Sequence, residues 1–167
     1  MTNSDMPQAF DHCYDREWIP YSDEGVALLF QLFRASGGVA RAEEVAAYCT
    51  RSGELGLGVL ARRIAHKQVV SFEWRADIWL PLFQFQFQFQ LSDLSTLPGL
   101  MPVLAILNNI YNRWELAQWF VQPQAELSHR SPDVVLAREP GAVLRAAQRE
   151  EVRLDEALPH LRPVQLS

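Results

Sequence analysis

Polar and apolar positions alternate with two different periods along this chain, and the change of period divides it. Residues 22–35 place Val26, Leu29, Phe30 and Phe33 on one face, three and four apart, which predicts a helix capped by Ser22 and stopped at Gly37-Gly38. A second helix is predicted over 41–50, burying Val45, Ala46 and either Tyr48 or Cys49. A third is predicted over 55–67, with Leu57, Leu60, Ala61 and Ile64 facing inward. The period then shortens. Residues 69–74 and 78–80 read as a hairpin turning at 75–77, and residues 83–90 repeat Phe-Gln four times. Helical spacing returns at 99–111, 113–120, 132–137 and 140–151. The predicted fold is mainly α with a small antiparallel β element. A helix-turn-helix-like part with the hairpin and Phe-Gln strand spans 21–91, a helical domain spans 98–150, and 151–167 reads as a tail.

The Phe-Gln run puts Phe83, Phe85, Phe87 and Phe89 on one face of an extended strand and four glutamines on the other. It carries no charge, glycine or proline, so a folded protein must cover it. Two covers are open: the helices of this chain, or the same strand of a second copy in a homodimer.

Charge is unevenly spread. The formal net charge is −5. Residues 1–25 hold six acids against Arg16, residues 34–75 seven bases against four acids, and residues 76–167 seven bases against ten acids. Residues 1–20 read as an acidic, loose arm, although Phe10, Tyr14 and Trp18 recur every four residues as one helical turn would require. The basic middle gives the second and third helices a chemistry. Two short helices followed by a hairpin fit a winged helix-turn-helix, with Arg51, Arg62, Arg63, Lys67 and the hairpin-tip Arg75 as DNA contacts. The basic excess is small for such a face, and Gly56 and Gly58 weaken the third helix.

Enzyme signatures are thin. Gly56-x-Gly58-x-x-Ala61 matches a loose dinucleotide fingerprint but lacks the strand–helix alternation it needs. Asp11, His12, Cys13 and Asp15 have no spaced partner set for a metal, and no nucleophile motif occurs. No catalytic residue, metal or cofactor is nominated. Two unpaired cysteines, no apolar span and no signal-like start lead to the expectation of a cytoplasmic chain without a membrane partner.

The segment 114–136 has the clearest grammar. Leu116, Trp119 and Phe120 form one helix side, and Pro123 ends that helix. Ser131-Pro132 opens the next, with Val134, Val135 and Leu136 as its apolar side. Leu127, His129 and Arg130 lie in the connection. These residues resemble a known pattern. Trp114, Leu116, Ala117, Trp119, Pro123, Leu127, Arg130, Pro132, Val135 and Leu136, followed by Glu139-Pro-Gly-Ala-Val-Leu144, are similar to the toxin-binding domain of Xre/MbcA/ParS-type bacterial antitoxins. Gln124 stands where that family has Asn, and His129 where it has Gly. The resemblance covers about 98–150. It implies a non-enzymatic antitoxin or antitoxin-derived regulator that binds a partner toxin, often of the NAD-degrading RES type, and often DNA. Arg130, Leu127, His129 and Pro132 are the expected partner contacts. The alternative is a transcription regulator without a toxin, self-associating through the β element or the helical domain.

Overall fold

The computed structural model describes residues 18–50, 56–86 and 94–157. They form seven helices and a three-stranded antiparallel sheet. In order these are α1 (Asp23–Leu32), β1 (Val39–Arg41), α2 (Ala42–Thr50), α3 (Gly56–Ala65), β2 (Phe72–Trp74), β3 (Asp77–Pro81), α4 (Leu100–Leu107), α5 (Arg113–Val121), α6 (Pro132–Val135) and α7 (Pro140–Ala157). The mainly α class with a small β element is as expected. No helix among the described residues is long and apolar enough to cross a membrane.

Ser22 caps α1 as predicted, its hydroxyl accepting from the Gly25 amide at 3.0 Å. A 3-10 turn, Phe33–Ser36, completes the helix before Gly37, whose φ of 108° lets the chain reverse. Strand β1 follows, pairing Ala40 with Leu80 of β3, while β2 pairs Phe72 with Trp79. The sheet order is therefore β1-β3-β2. Arg75 and Ala76 close the hairpin at φ 50° and 65°, two consecutive left-handed residues as a tight right-twisted hairpin demands.

Two cores result. The smaller packs Val45, Leu60, Ile64, Leu80, Phe85 and Leu94 between α2, α3 and the sheet. On α3, Leu60 and Ile64 face it as expected, but Leu57 and Ala61 point outward. The larger core draws Leu29, Phe33, Phe72 and Phe83 together with Leu104, Trp119, Phe120, Leu136 and Val143. It thus takes residues from both sides of the expected boundary between 91 and 98. Helix α5 runs through its middle, with every side chain from Leu116 to Val121 buried. Asn112 and Glu115 form a reciprocal capping box at its start.

Three expectations change. The Phe-Gln run does not begin as a strand: Leu82–Gln84 is a 3-10 turn, and Phe85 makes an isolated bridge to Thr96. Gln84 is fully buried. Its side-chain oxygen accepts from the Val70 amide at 2.7 Å, and its nitrogen donates to the carbonyls of Val70 (2.9 Å) and Pro81 (2.8 Å). These bonds outweigh the alternating pattern, turning the chain so that Phe83 stacks on Phe33 and Phe85 enters the smaller core. Residues 87–90 lie outside the described residues. Second, the arm is docked at its end: Gln118 accepts from the Ile19 amide at 2.5 Å and donates to its carbonyl at 3.1 Å, while the Trp114 indole donates to the same carbonyl. Third, α7 continues to Ala157, so 151–157 is helix and not tail.

Candidate functional site

The connection between α5 and α6 is built as a fixed projection. Beyond Pro123, the Gln124 amide donates to the Arg130 carbonyl at 3.1 Å, and the His129 amide donates back to the Gln124 carbonyl at 2.9 Å. Inside this bridge runs a single 3-10 turn, Ala125–Leu127, whose Leu127 is only 1% exposed and plugs the loop into the larger core. The buried Gln124 side chain donates to the carbonyls of Trp119 and Gln122, closing the end of α5.

Ser128 and His129 then both adopt left-handed backbone, at φ 57° and 60°. A non-glycine residue there is strained, and two in succession persist only where the surroundings dictate them. Here the anchors are the Gln124–Arg130 bridge, Leu127 and Arg130 itself. The Arg130 Nε donates to the Leu127 carbonyl at 3.1 Å. Its two terminal nitrogens grip both oxygens of Glu139, at 2.9 and 3.3 Å, just ahead of α7. The Arg130 guanidinium holds the Glu139 carboxyl below its usual range by hydrogen bond and charge, and Glu139 raises Arg130 in return. Both side chains are about half exposed, at 49% and 46%.

Of the four expected partner contacts, two are therefore corrected. Leu127 and Pro132 are buried supports, whereas His129 and Arg130 face solvent. Ser131 stands at the cap position of α6 but makes no cap bond. Val134, expected to face inward, is 43% exposed beside the loop. Asp133 is buried, and Ser36 donates to it at 2.5 Å, tying the end of α1 to α6. Burial pushes its carboxyl above the usual range, against the pull of the Ser131 and Ser36 hydroxyls.

The expected DNA contacts divide in the same way. Arg62 and Lys67 are exposed and without a side-chain partner among the described residues. Arg63 is half-buried and donates to the Leu94 carbonyl, and Arg75 is paired with Asp23 at 2.7 Å. Arg51 lies outside the described residues. Lys67 ends α3 in a left-handed conformation, at φ 54°. Between these cations the outer side of α3 shows Leu57, Gly58, Ala61 and Ala65, so positive charge there is sparse.

Phe83 and Phe85, expected at a self-association edge, are buried inside this chain; Phe87 and Phe89 lie outside the described residues. Sequence reasoning missed Arg113. From the first turn of α5 it donates to the Ser71 hydroxyl (2.6 Å) and to the Ile64 carbonyl (3.0 Å), joining α3 to the helical half. Its only sequence signal is a cation beside a capping asparagine. Among the described residues there is no cluster of potential metal ligands. Comparison with family models, with curated proteins and with solved structures finds no match for this chain.

Proposed function

We propose that this chain is a non-enzymatic regulator that binds a partner protein through the loop at 124–132, in the manner of the antitoxins its C-terminal half resembles. The observation that carries this reading is the loop itself. Two consecutive strained residues are held rigid from beneath while His129, Arg130 and Val134 stand in solvent. A loop ordered before binding loses little entropy on docking, and arginine is a residue type enriched where binding energy concentrates. The partner is a cognate toxin. The test is co-purification of the tagged full chain with the product of the adjacent reading frame. Parent protein retains that product, and the double variant His129→Ala, Arg130→Ala releases it. Retention by the double variant would move the interface elsewhere.

The N-terminal part supports a second reading, a transcription regulator. What favours it is the order α1–β1–α2–α3–β2–β3 with β1 paired to β3, an order that a winged helix-turn-helix would have. In that reading α3 contacts DNA, with Arg62 and Lys67 as phosphate contacts and the β2–β3 turn as the wing. The two readings combine in one autoregulating protein. They separate if DNA binding survives where no neighbouring product binds.

A further inference from the structure

Helix α7 buries Val143, Ala146, Ala147 and Glu150. Beside that stripe Arg145, Arg149 and Arg153 recur every four residues, so they stand in a row along one side of the helix, about 12 Å long. Arg149 has no partner among the described residues. Arg145 faces Glu139, which Arg130 already grips in its fork, and Arg153 donates to Glu150 at 3.1 Å. A row of like charge at this spacing is unfavourable by itself. Next to it Val152 is 53% exposed.

Position, charge and spacing indicate one occupant. Residues 1–17 hold Asp5, Asp11, Asp15 and Glu17 against Arg16 alone. That segment joins the fold at Trp18, whose ring meets Tyr111 edge-on at 5.3 Å. The Tyr111 hydroxyl donates to Glu150, the same carboxylate that receives Arg153. The acidic segment therefore enters beside the C-terminal end of the arginine row. Asp15 is three residues from Trp18, within a reach of about 10 Å. Asp11 and Asp15 repeat the four-residue spacing of Arg145 and Arg149. Phe10 and Tyr14 repeat the spacing that leads to Trp18, and Val152 offers them an apolar contact.

We propose that residues 10–17 dock along α7 of the same chain, Asp15 against Arg149 and Asp11 against Arg145. Arg145 also neighbours Glu139, but this contact and the partner role of the loop at 124–132 are separate claims, and each can fail without the other. Cys13 lies between the two aspartates and provides the probe. A nitroxide on Cys13 of the full chain, with Cys49→Ser to leave one thiol, broadens the amide signals of residues 145–153. Arg145→Glu with Arg149→Glu restores those signals, and adding Asp11→Arg with Asp15→Arg brings the broadening back. Salt at about 1 M, where the Debye length is ~3 Å, weakens it. Undiminished signals in the labelled chain, or broadening that ignores the charge reversal, would overturn the proposal. In the unlabelled full chain, amide exchange across 10–17 is faster in the Arg145→Glu, Arg149→Glu variant than in the parent; equal rates would overturn it as well.

Discussion

Two glutamines of the same repeat, two residues apart, are predicted to differ sharply in what they contribute. Gln84→Leu keeps the side-chain volume but removes three hydrogen bonds, to the Val70 amide, the Val70 carbonyl and the Pro81 carbonyl. At roughly 1 kcal/mol net per bond the loss is about 3 kcal/mol, and more if the buried Val70 amide is left without any partner. Against a typical total of about 5–15 kcal/mol, that is a large fraction of the stability. Gln86→Leu removes one bond, from a half-buried side chain to the Thr96 carbonyl at 3.1 Å, and costs about 1 kcal/mol or less. Urea unfolding followed by tryptophan fluorescence measures both, since Trp119 lies at the core. The midpoint should fall far more for Gln84→Leu, with the denaturant slope unchanged. Equal losses would mean that both glutamines sit in one extended strand, and that the side-chain anchoring of Gln84 does not set the path of the chain.

Three further outcomes follow from the same geometry. Burial holds the Asp133 carboxyl above its usual range, so the folded state keeps that proton more readily than the unfolded chain; stability falls as pH rises through that interval. Asp133→Asn should remove this slope in urea midpoints measured against pH, and an unchanged slope would reject the assignment. Gln118→Leu should speed exchange of the Ile19 amide, which donates to the Gln118 side chain at 2.5 Å; continued protection would mean that something else holds Ile19 in place. Arg62→Ala with Lys67→Ala should weaken binding to DNA from the chain's own promoter and lower the salt slope by about 0.9 per lost contact; an unchanged slope would remove α3 from the interface.

Legibility in the sequence tracked how local the controlling interaction was. Ser22, Pro123 and Pro132 act within one turn of themselves, and the helix ends they predict are where they should be. The order of helices and hairpin was equally readable, because amphipathic spacing reports burial directly. Strand β1 was missed because three residues carry no period. The start of the Phe-Gln run, Phe83 and Gln84, was misread because alternation favours a strand only when nothing else competes for the side chains, and Gln84 bonds Val70, fourteen residues away. In the candidate site, His129 and Arg130 are exposed, as residues of a polar connecting loop are. That Leu127 and Pro132 are supports depends on packing no spacing rule reveals. His129, which stands where the antitoxins of the proposed resemblance have glycine, adopts positive φ, at 60°. Left-handed Lys67, Arg75 and Ala76 had no such signal, since none is glycine or asparagine.

The claim that the 124–132 loop is a preformed partner surface is tested most directly by titrating the adjacent gene product into three full-length proteins, with thermal unfolding of each alongside. His129→Gly relieves the left-handed backbone while deleting the exposed side chain. Arg130→Ala deletes the guanidinium that reaches both solvent and Glu139. The account predicts that His129→Gly melts no lower than the parent yet binds more weakly, and that Arg130→Ala stays folded and binds more weakly still. Parent-like affinity in both folded variants would contradict it.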